Sequence, residues 1–128
     1  MPSPGTLEAF IARVESNAHA EAIEEFYAPN ASMRENRKEP RRGRDALVAH
    51  ERKVLARAAG VQSHCVRPVF VSGERVVIRW IFRFRYHDGT VTELEELAYQ
   101  RWEVEKIAEE EFFYDPAQLV PRKWPPGT

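Results

Sequence analysis

The sequence contains one cysteine, Cys65, and no apolar run long enough to cross a membrane. A single cysteine excludes a disulfide bond within the chain and favours a reducing compartment. A membrane-spanning helix needs about 20 consecutive apolar residues, and the first ten residues lack the basic start and apolar stretch of a signal peptide. We therefore expect a soluble, cytoplasmic protein that does not bind a membrane.

The chain also has little net charge, because 19 Lys and Arg residues oppose 20 Asp and Glu residues, which gives a formal charge of −1. Such a balance provides no global field that recruits nucleic acid. The most basic segment, residues 33–44, has interleaved acidic residues such as Glu35 and Glu39 and lacks aromatic side chains that stack on bases. It is predicted to be a solvent-exposed loop, and no nucleic acid is expected as a partner.

Motifs for metals and cofactors are missing as well. No pair of the four histidines has the spacing of a metal-binding motif, and neither a Gly-rich phosphate loop nor a Ser-His-Asp motif is present. His64 and Cys65 are adjacent, but neighbours in a strand point to opposite faces, which argues against a Cys-His pair. We expect neither a metal ion nor a cofactor.

The first half of the chain has helical periodicity. Apolar residues recur at helical spacing from Leu7 onward, with Thr6 as the predicted N-cap of a first helix and Pro29 as the stop of a second. A third helix is predicted over 44–60, with Gly60 as its C-cap. The apolar face of the first two helices comprises Leu7, Phe10, Ile11, Val14, Ile23, Phe26 and Tyr27.

The second half has the alternation typical of β-strands. Strands are predicted at 31–35, 61–71, 75–86, 90–102 and 106–114. Helices followed by an antiparallel meander predict an α+β fold, in which three N-terminal helices pack on a strongly curved, mostly antiparallel sheet. Nothing divides the chain, so one domain is expected over 1–128, with a core at about 6–116 and a proline-rich surface extension at 117–128.

The hairpin around "HDG" determines which side chains share a face of the sheet. A two-residue turn displaces Arg83 from Glu93, whereas a three-residue loop with Gly89 in the left-handed conformation places them opposite each other. The second register pairs opposite charges on one face and gathers aromatic residues on the other. We predict the three-residue loop, with Trp80 opposite Glu96.

The next turn, "EVE", determines which of three consecutive glutamates enters the fold. A three-residue loop sets Ala98 opposite Glu110 and turns Glu110 inward, with Glu109 and Glu111 on the outer face. A two-residue turn sends Glu109 and Glu111 inward instead. The first register predicts that the inward residues are Val76, Ile78, Trp80, Phe82, Phe84, Leu94, Glu96, Ala98, Gln100, Ala108, Glu110, Phe112 and Tyr114.

Two inward carboxyl groups, Glu96 and Glu110, then lie on a wall of aromatic side chains. A carboxylate there is costly unless it is paired, protonated or wetted by a cavity, and two such groups raise a pKa, which suits a general acid or base. Gln100 and Tyr114 are predicted to orient a ligand. In the alternative interpretation, Glu96 accepts a hydrogen bond from Gln100 or the Trp80 ring nitrogen, and Glu110 lies at a solvated rim.

Leu47, His50 and Val54 share one stripe of the third helix, which points His50 toward the space beneath. Histidine is suited to moving protons near neutral pH, although a lone inward histidine is more commonly a hydrogen-bonded core residue. Both interpretations stay open. The aromatic residues predicted to contact a ligand are Trp80, Phe82, Phe84 and Phe112.

The segments "FYAPNASMRE", "GRDAL" and "KIAEEEFFYDP" resemble the SnoaL-like polyketide cyclases of the nuclear transport factor 2-like superfamily, over about residues 6–116. The resemblance implies a cone-shaped α+β barrel, in which the sheet encloses a helix-lined cavity, and a homodimer formed through the outer face of the sheet. The same scaffold hosts isomerases, cyclases, epoxide hydrolases, dehydratases and binding domains without catalysis.

Ketosteroid isomerases share this scaffold, so their catalytic positions can be compared with this chain. The position of their general-base aspartate falls at Glu35, which retains a carboxylate. Those of their oxyanion-hole tyrosine and aspartic acid fall at Ile11 and Ala98, so steroid isomerisation is not expected. The acid/base aspartate that the cyclases carry on the last strand has its nearest chemical substitute in Glu110.

Two functions are therefore expected from the sequence. The first is a cofactor-independent isomerase or cyclase that acts on a small apolar or aromatic molecule with a carbonyl group, through Glu110 and Glu96. Glu35 and His50 support them from the other side of the cavity. The second is a dimeric ligand-binding or dimerisation domain without catalysis, whose carboxyl groups need not titrate far from an ordinary glutamate.

Overall fold

The computed structural model describes residues 1–123, which form three helices against one curled sheet. The helices are α1 (Pro4–Glu15), α2 (His19–Phe26) and α3 (Arg44–Ala56), with a 3₁₀ turn at Pro116–Leu119. The strands are β1 (Tyr27–Glu35), β2 (Arg41–Arg42), β3 (Gly60–Ser72), β4 (Arg75–Arg85), β5 (Thr90–Glu103), β6 (Lys106–Phe113) and β7 (Arg122–Lys123). The α+β class predicted from the sequence is confirmed.

Helix α1 begins earlier than the sequence analysis predicts. Ser3 is its N-cap, and the Ser3 hydroxyl oxygen accepts a hydrogen bond from the backbone N–H of Thr6 at 3.1 Å. The prediction of Thr6 as N-cap is wrong, because Pro4 supplies the fixed φ of a first helical residue and Ser3 supplies the acceptor in front of it. The predicted apolar face of α1 is buried.

Helix α2 ends at Phe26, and Tyr27 is the first residue of β1. The predicted stop at Pro29 is wrong, since Pro29 lies inside the strand, where an extended backbone tolerates its fixed φ. The strand therefore starts before the predicted range of 31–35. Its early start places the Tyr27 side chain in the interior, where it is 3% exposed.

Helix α3 ends at Ala56, with Arg57 as its C-cap, and packs against α2 and β1. Gly60, which the sequence analysis predicts as the C-cap, is instead the first residue of β3. A Cβ at Gly60 would lie 2.7 Å from Nη2 of Arg85 on the neighbouring strand, the end of a flexible side chain that can move aside.

The sheet has the strand order β2-β1-β6-β5-β4-β3, and β7 pairs with β5. All paired strands are antiparallel except β1 and β6, which run parallel. The core between the sheet and the helices includes five large side chains that are at most 2% exposed: Ile11, Ile78, Trp80, Trp102 and Ile107. The sheet and the helices thus bury one continuous apolar cluster.

The register of β4 against β5 is the predicted one. Arg83 lies opposite Glu93 and Trp80 opposite Glu96, across a loop in which Gly89 has a φ of 84°. The Arg83 guanidinium donates to Glu93 Oε2 from Nε at 3.1 Å and from Nη2 at 2.7 Å. Opposite charges on the outer face and aromatic residues on the inner face favour this pairing.

The register of β5 against β6 differs from the prediction by two residues. The turn contains two residues between the paired Glu103 and Lys106, and a bulge follows in the ladder. As a result, Glu110 lies opposite Gln100, and the predicted pairing with Ala98 is wrong. The bulge restores the alternation that a two-residue turn alone would invert, so Glu110 still faces inward.

The three consecutive glutamates of β6 have different surroundings. Glu110 faces the interior and is 3% exposed. Glu109 is exposed on the outer face and pairs with Arg101 at 3.1 Å. Glu111 is also on the outer face but is buried, because Arg37 lies over it with Nη1 2.7 Å from its Oε1. Arginines therefore neutralise the outer two carboxylates, whereas Glu110 is held by neutral donors, described below.

The segment after β6 is mostly exposed, and two parts of it bond to the sheet. The Gln118 carboxamide accepts from the backbone N–H of Glu95 at 3.0 Å and donates to the Glu95 carbonyl oxygen at 3.1 Å. Strand β7 then pairs with the start of β5. The remainder of the extension, 124–128, lies outside the described residues.

Candidate active site

A cavity of about 450 Å³ lies between the helices and the inner face of the sheet. Most of its wall is aromatic or aliphatic, and Trp80 and Phe82 form a stacked pair in it, with ring centroids 5.4 Å apart. Such a wall suits a small, largely apolar ligand. The predicted ligand contacts that line the cavity are Trp80, Phe82, Phe84, Phe112 and Tyr114.

Glu110 lies in the cavity wall with a hydrogen-bond donor on each carboxyl oxygen. Tyr27 donates its hydroxyl hydrogen to Oε1, and Gln100 donates from Nε2 to Oε2 at 2.6 Å. Gln100 is fixed in turn by Trp102, whose indole N–H donates to Gln100 Oε1 at 2.9 Å. This series of bonds holds the Glu110 carboxyl group in one orientation.

Gln100 and Tyr27 have roles that the sequence analysis does not anticipate. Gln100 is completely buried behind Glu110, outside the set of cavity-lining residues, so it positions Glu110 rather than a ligand. Tyr27 does line the cavity, and the sequence analysis misses it because it assigns Tyr27 to the apolar face of a helix. The available indication was chemical, since a buried tyrosine hydroxyl usually has a hydrogen-bond partner.

Glu96 is 7% exposed and also lines the cavity. Within residues 1–123, no protein group forms a hydrogen bond or an ion pair with its carboxyl group. Because no fully enclosed side-chain oxygen in this part of the chain lacks a partner, the Glu96 oxygens must face the space of the cavity. The alternative bonds from Gln100 or the Trp80 ring are not formed, since Gln100 donates to Glu110.

Glu35 and Tyr114 also line the cavity and are bonded to each other. The Tyr114 hydroxyl donates to Glu35 Oε2 at 2.9 Å. The Tyr114 backbone is fixed by Asn36, whose side chain donates to the Tyr114 carbonyl oxygen at 2.9 Å and accepts from its N–H at 3.0 Å. Burial and the bond to Glu35 raise the pKa of the Tyr114 hydroxyl, so this group stays a donor.

His50 lines the cavity from α3, as the helical spacing predicts. Burial and the nearby charge of Arg41 lower its pKa. The neutral imidazole is therefore the predominant form near neutral pH, and it can accept a proton or donate an N–H.

Two further polar side chains in the lining, His19 and Glu51, are not predicted from the sequence. His19 Nδ1 lies 3.3 Å from Glu51 Oε1, and its Nε2 lies 2.7 Å from Ser63 Oγ. The His19 ring packs edge-on against Phe82, with centroids 5.1 Å apart. These groups come from α2, α3, β3 and β4, and no local spacing in the sequence indicates that the fold brings them together.

A protein-family model described as a SnoaL-like domain matches residues 7–110. The chain belongs to the SnoaL-like family. Similar solved structures include an NTF2-like protein of unknown function from Burkholderia pseudomallei, 18% identical over 91% of this chain and 92% of that chain, with a TM-score of 0.76. A proposed SnoaL-like polyketide cyclase from Jannaschia sp. is 13% identical over 91% and 92%, with a TM-score of 0.75. No curated protein is significantly similar.

The fold of the SnoaL-like domain extends to proteins named for other reactions. An LEH-like epoxide hydrolase from M. tuberculosis is 12% identical over 88% of this chain and 82% of its own, with a TM-score of 0.72. At such low identities the likeness shows a shared fold and not a shared substrate. None of the helices within the described residues is long and apolar enough to cross a membrane.

The two inward carboxyl groups of the SnoaL-like domain differ in their electrostatics. Burial raises the pKa of Glu110 to about 7, and its hydrogen bonds from Tyr27 and Gln100 limit the rise. Burial and the negative charge of Glu110 raise the pKa of Glu96 well above its usual value. Glu96 therefore holds its proton more firmly than an ordinary glutamate does, whereas Glu110 is poised to gain or lose one near neutral pH.

The raised pKa of Glu110 predicts that the SnoaL-like domain loses stability between pH 5 and pH 8. A carboxyl group whose pKa is 4.5 when unfolded and about 7 when folded stabilises the fold fully below pH 4.5, and this contribution is lost as the pH rises through 7. The loss is about 3 kcal/mol, at roughly 1.4 kcal/mol per pKa unit. Urea unfolding across this pH range measures it.

The matched variants for this prediction are Glu110→Gln and Glu109→Gln. The first removes one titrating group and is expected to reduce the pH dependence, of which the part due to Glu96 remains, whereas the second alters an exposed carboxylate on the outer face and is expected to keep it. The comparison uses the slope of the free energy of unfolding against pH. A glutamine at position 110 also alters the hydrogen bonds there, but this changes the free energy by the same amount at every pH. Equal slopes in wild type and E110Q would contradict the assignment.

Proposed function

We propose that this SnoaL-like domain is a cofactor-independent isomerase or cyclase that moves a proton on a small, apolar molecule with a carbonyl group. In this proposal Glu110 is the general base and Glu96 the general acid. The observation that carries it is the contrast between two carboxyl groups of one cavity: Glu110 has two donors that favour its ionised form, and Glu96 has no protein partner among the described residues. Surroundings that separate two pKa values in this way define acid and base roles.

The proton is transferred in two steps. Glu110 takes the proton from the carbon next to the carbonyl group, and the electron pair moves onto the carbonyl oxygen. Glu96 donates a hydrogen bond or a proton to that oxygen, so the developing charge is stabilised in apolar surroundings. Return of the proton from Glu110 to another carbon completes an isomerisation. In an aldol-type cyclisation the enol carbon instead bonds to a second carbonyl carbon, whose oxygen takes the proton from Glu110. In both cases the first carbonyl group re-forms and any proton that Glu96 gave returns to it.

The cavity supports a small aromatic or aliphatic substrate. Its volume of about 450 Å³ lies within the range of roughly 300–1,000 Å³ that is typical of small-molecule sites. The hydroxyl of Tyr114, the carboxylate of Glu35 and the imidazole of His50 supply polar contacts around an otherwise apolar wall. The relatives of similar fold named as a cyclase and an epoxide hydrolase are consistent with small-molecule chemistry in such a cavity.

Exchange of carbon-bound hydrogen tests the proposal directly. The wild-type protein in D₂O is expected to accelerate the exchange of the hydrogens next to the carbonyl group of 2-tetralone, followed by ¹H NMR. The rate is expected to rise with pH through an apparent pKa of about 7, because Glu110 must be ionised to act as a base. Saturation-transfer NMR establishes binding first, and a ketone that binds but exchanges only at the buffer rate overturns the proposal.

The alternative is a binding domain without catalysis, and one observation favours it. Both oxygens of Glu110 already accept hydrogen bonds from Tyr27 and Gln100, which is also how a structural carboxylate is satisfied. Such a domain would bind apolar carbonyl compounds without any exchange of their hydrogens. The NMR experiment above separates the two functions.

We further propose that two copies of the chain pair through the outer face of the sheet. Leu97, Tyr99 and Phe113 are each about 40% exposed there, and Phe113 lies directly opposite Leu97 on the neighbouring strand. Adjacent exposed apolar side chains on a small domain mark an interaction surface. Sedimentation velocity is expected to show a dimer that Leu97→Asp converts to a monomer, and a monomeric wild type contradicts this interface.

The compartment that we propose is the cytoplasm. Cys65 is a free, buried thiol, and such a thiol is typical of reducing compartments. Burial raises its pKa, so Cys65 is not proposed as a nucleophile.

A further inference from the structure

Ser63, His19 and Glu51 form a second hydrogen-bonded series, separate from the two inward carboxyl groups. Ser63 Oγ lies 2.7 Å from His19 Nε2, and His19 Nδ1 lies 3.3 Å from Glu51 Oε1. A hydroxyl within hydrogen-bond reach of an imidazole, whose other nitrogen faces a carboxylate, is the arrangement that activates a serine nucleophile. Geometry defines this arrangement and sequence order does not, so the order His19, Glu51, Ser63 is compatible with it.

Separate elements position the three groups. His19 is the first residue of α2, is 7% exposed, and has its ring held against Phe82. Glu51 faces it from α3. Ser63 lies on β3, the edge strand of the sheet, and is partly exposed. The base is therefore buried and oriented, whereas the nucleophile remains open to a molecule that approaches from outside.

A fourth group lies beside the Ser63 hydroxyl. The Ser63 hydroxyl donates to Asn17 Oδ1 at 2.8 Å. Asn17 occupies the turn between α1 and α2 with a φ of 72°, a conformation in which asparagine is enriched. Half a turn of the Asn17 carboxamide places an N–H against Ser63 Oγ and leaves the Ser63 hydrogen for His19 Nε2.

We propose that Ser63 is a nucleophile for acyl transfer from small carboxylic esters, with His19 as its general base and Glu51 as the positioning residue. The Ser63 oxygen bonds to the ester carbonyl carbon while its proton passes to His19 Nε2. The bond from that carbon to the alkoxy oxygen then breaks, and the alcohol leaves with the proton from His19. Water attacks the acyl-serine, gives a proton to His19, and releases the carboxylic acid as Ser63 regains its proton.

This activity is independent of the proton transfer proposed for Glu110, and its test is arranged accordingly. The full chain is treated with a fluorophosphonate probe, and the adduct is located by mass spectrometry of peptides. We expect one adduct, on Ser63, and a burst of p-nitrophenol from p-nitrophenyl acetate. Ser63→Ala abolishes both, whereas Ser72→Ala on the same strand keeps both.

The base and the positioning residue have separate readouts. His19→Gln is expected to slow labelling by about 10²-fold. Glu51→Gln is expected to slow labelling and Glu51→Asp to restore most of the rate, because a carboxylate opposite Nδ1 holds the imidazole with Nε2 toward Ser63.

Thermal unfolding of each variant confirms that it is folded before its labelling is compared, and Ser63→Ala at a partly exposed position is the variant on which the conclusion rests. A failure to label wild type overturns the proposal, as does an adduct elsewhere or an adduct that persists in Ser63→Ala. A labelling rate in Glu51→Gln equal to that of wild type removes Glu51 from the mechanism.

Discussion

Replacing Glu110 with glutamine is expected to slow hydrogen exchange in a bound ketone by about 10²- to 10⁴-fold, the usual contribution of a positioned general base. Glutamine has nearly the same shape as glutamate and can still bond to Tyr27 and Gln100, but it cannot take a proton from carbon. Ketone binding is therefore expected to change little while the exchange rate falls. Rates at saturating 2-tetralone, measured by ¹H NMR in D₂O, give the comparison.

Two further variants sharpen this prediction. Glu109→Gln lies on the outer face of the same strand and is expected to exchange at the wild-type rate. Glu96→Gln retains an N–H that can donate to the carbonyl oxygen but has no proton to give, so its loss is expected to be smaller than that of E110Q. If E110Q exchanges the hydrogens of the ketone at the wild-type rate, Glu110 is not the base, and the binding domain without catalysis becomes the favoured function.

Replacing Trp102 with alanine is expected to lower the free energy of unfolding by about 3–5 kcal/mol, the usual range for a fully buried tryptophan. Trp102 is 0% exposed, and its ring packs edge-on against Phe10 with centroids 5.9 Å apart. The substitution also removes the indole N–H that donates to Gln100 Oε1. Urea unfolding at constant pH measures the loss.

The matched control is Val104→Ala in the exposed turn of the same hairpin. Val104 is 73% exposed, so its truncation is expected to change stability by less than about 1 kcal/mol. Trp102→Phe keeps most of the packing but leaves the Gln100 oxygen without its donor, and about 1–3 kcal/mol is expected for that change alone. If Trp102→Ala lowers the free energy of unfolding by less than about 1 kcal/mol, Trp102 does not stabilise the part of the sheet that holds Gln100 and Glu110.

The sequence determines the register of β4 against β5 because the side chains on both faces of that hairpin favour the same register. Arg83 and Glu93 attract on the outer face, and Trp80 and Phe82 gather on the inner face, so only one register satisfies both. The side chains beside the turn after Glu103 do not favour one register of β5 against β6 in this way. The length of this turn was predicted incorrectly, and the bulge was not predicted. The shorter turn and the bulge each invert the inward and outward sides of β6. The two inversions cancel, so the predicted inward direction of Glu110 is right.

The polar partners within the site were much harder to predict. Alternation along a strand tells which face a side chain occupies, but the partner of Glu110 depends on where β1 begins, and the prediction of a longer second helix concealed Tyr27. The contact of His19 with Ser63 joins α2 to a distant strand, and no periodicity encodes such a contact. The inward direction of Glu96 and of Glu110 could be predicted from the sequence. Their hydrogen-bond partners could be identified only in the folded structure.

The parallel pairing of β1 with β6 has a consequence for how the chain is made. Translation supplies β1 early and its partner near the end, so the contacts that close the cavity span most of the chain and form slowly. Until β6 leaves the ribosome, no strand joins β1 to β5, and the apolar surface that stays exposed favours aggregation. Chains that stop before Glu110 would therefore depend on chaperones, and the residue proposed as the base is among the last of the barrel to be synthesised.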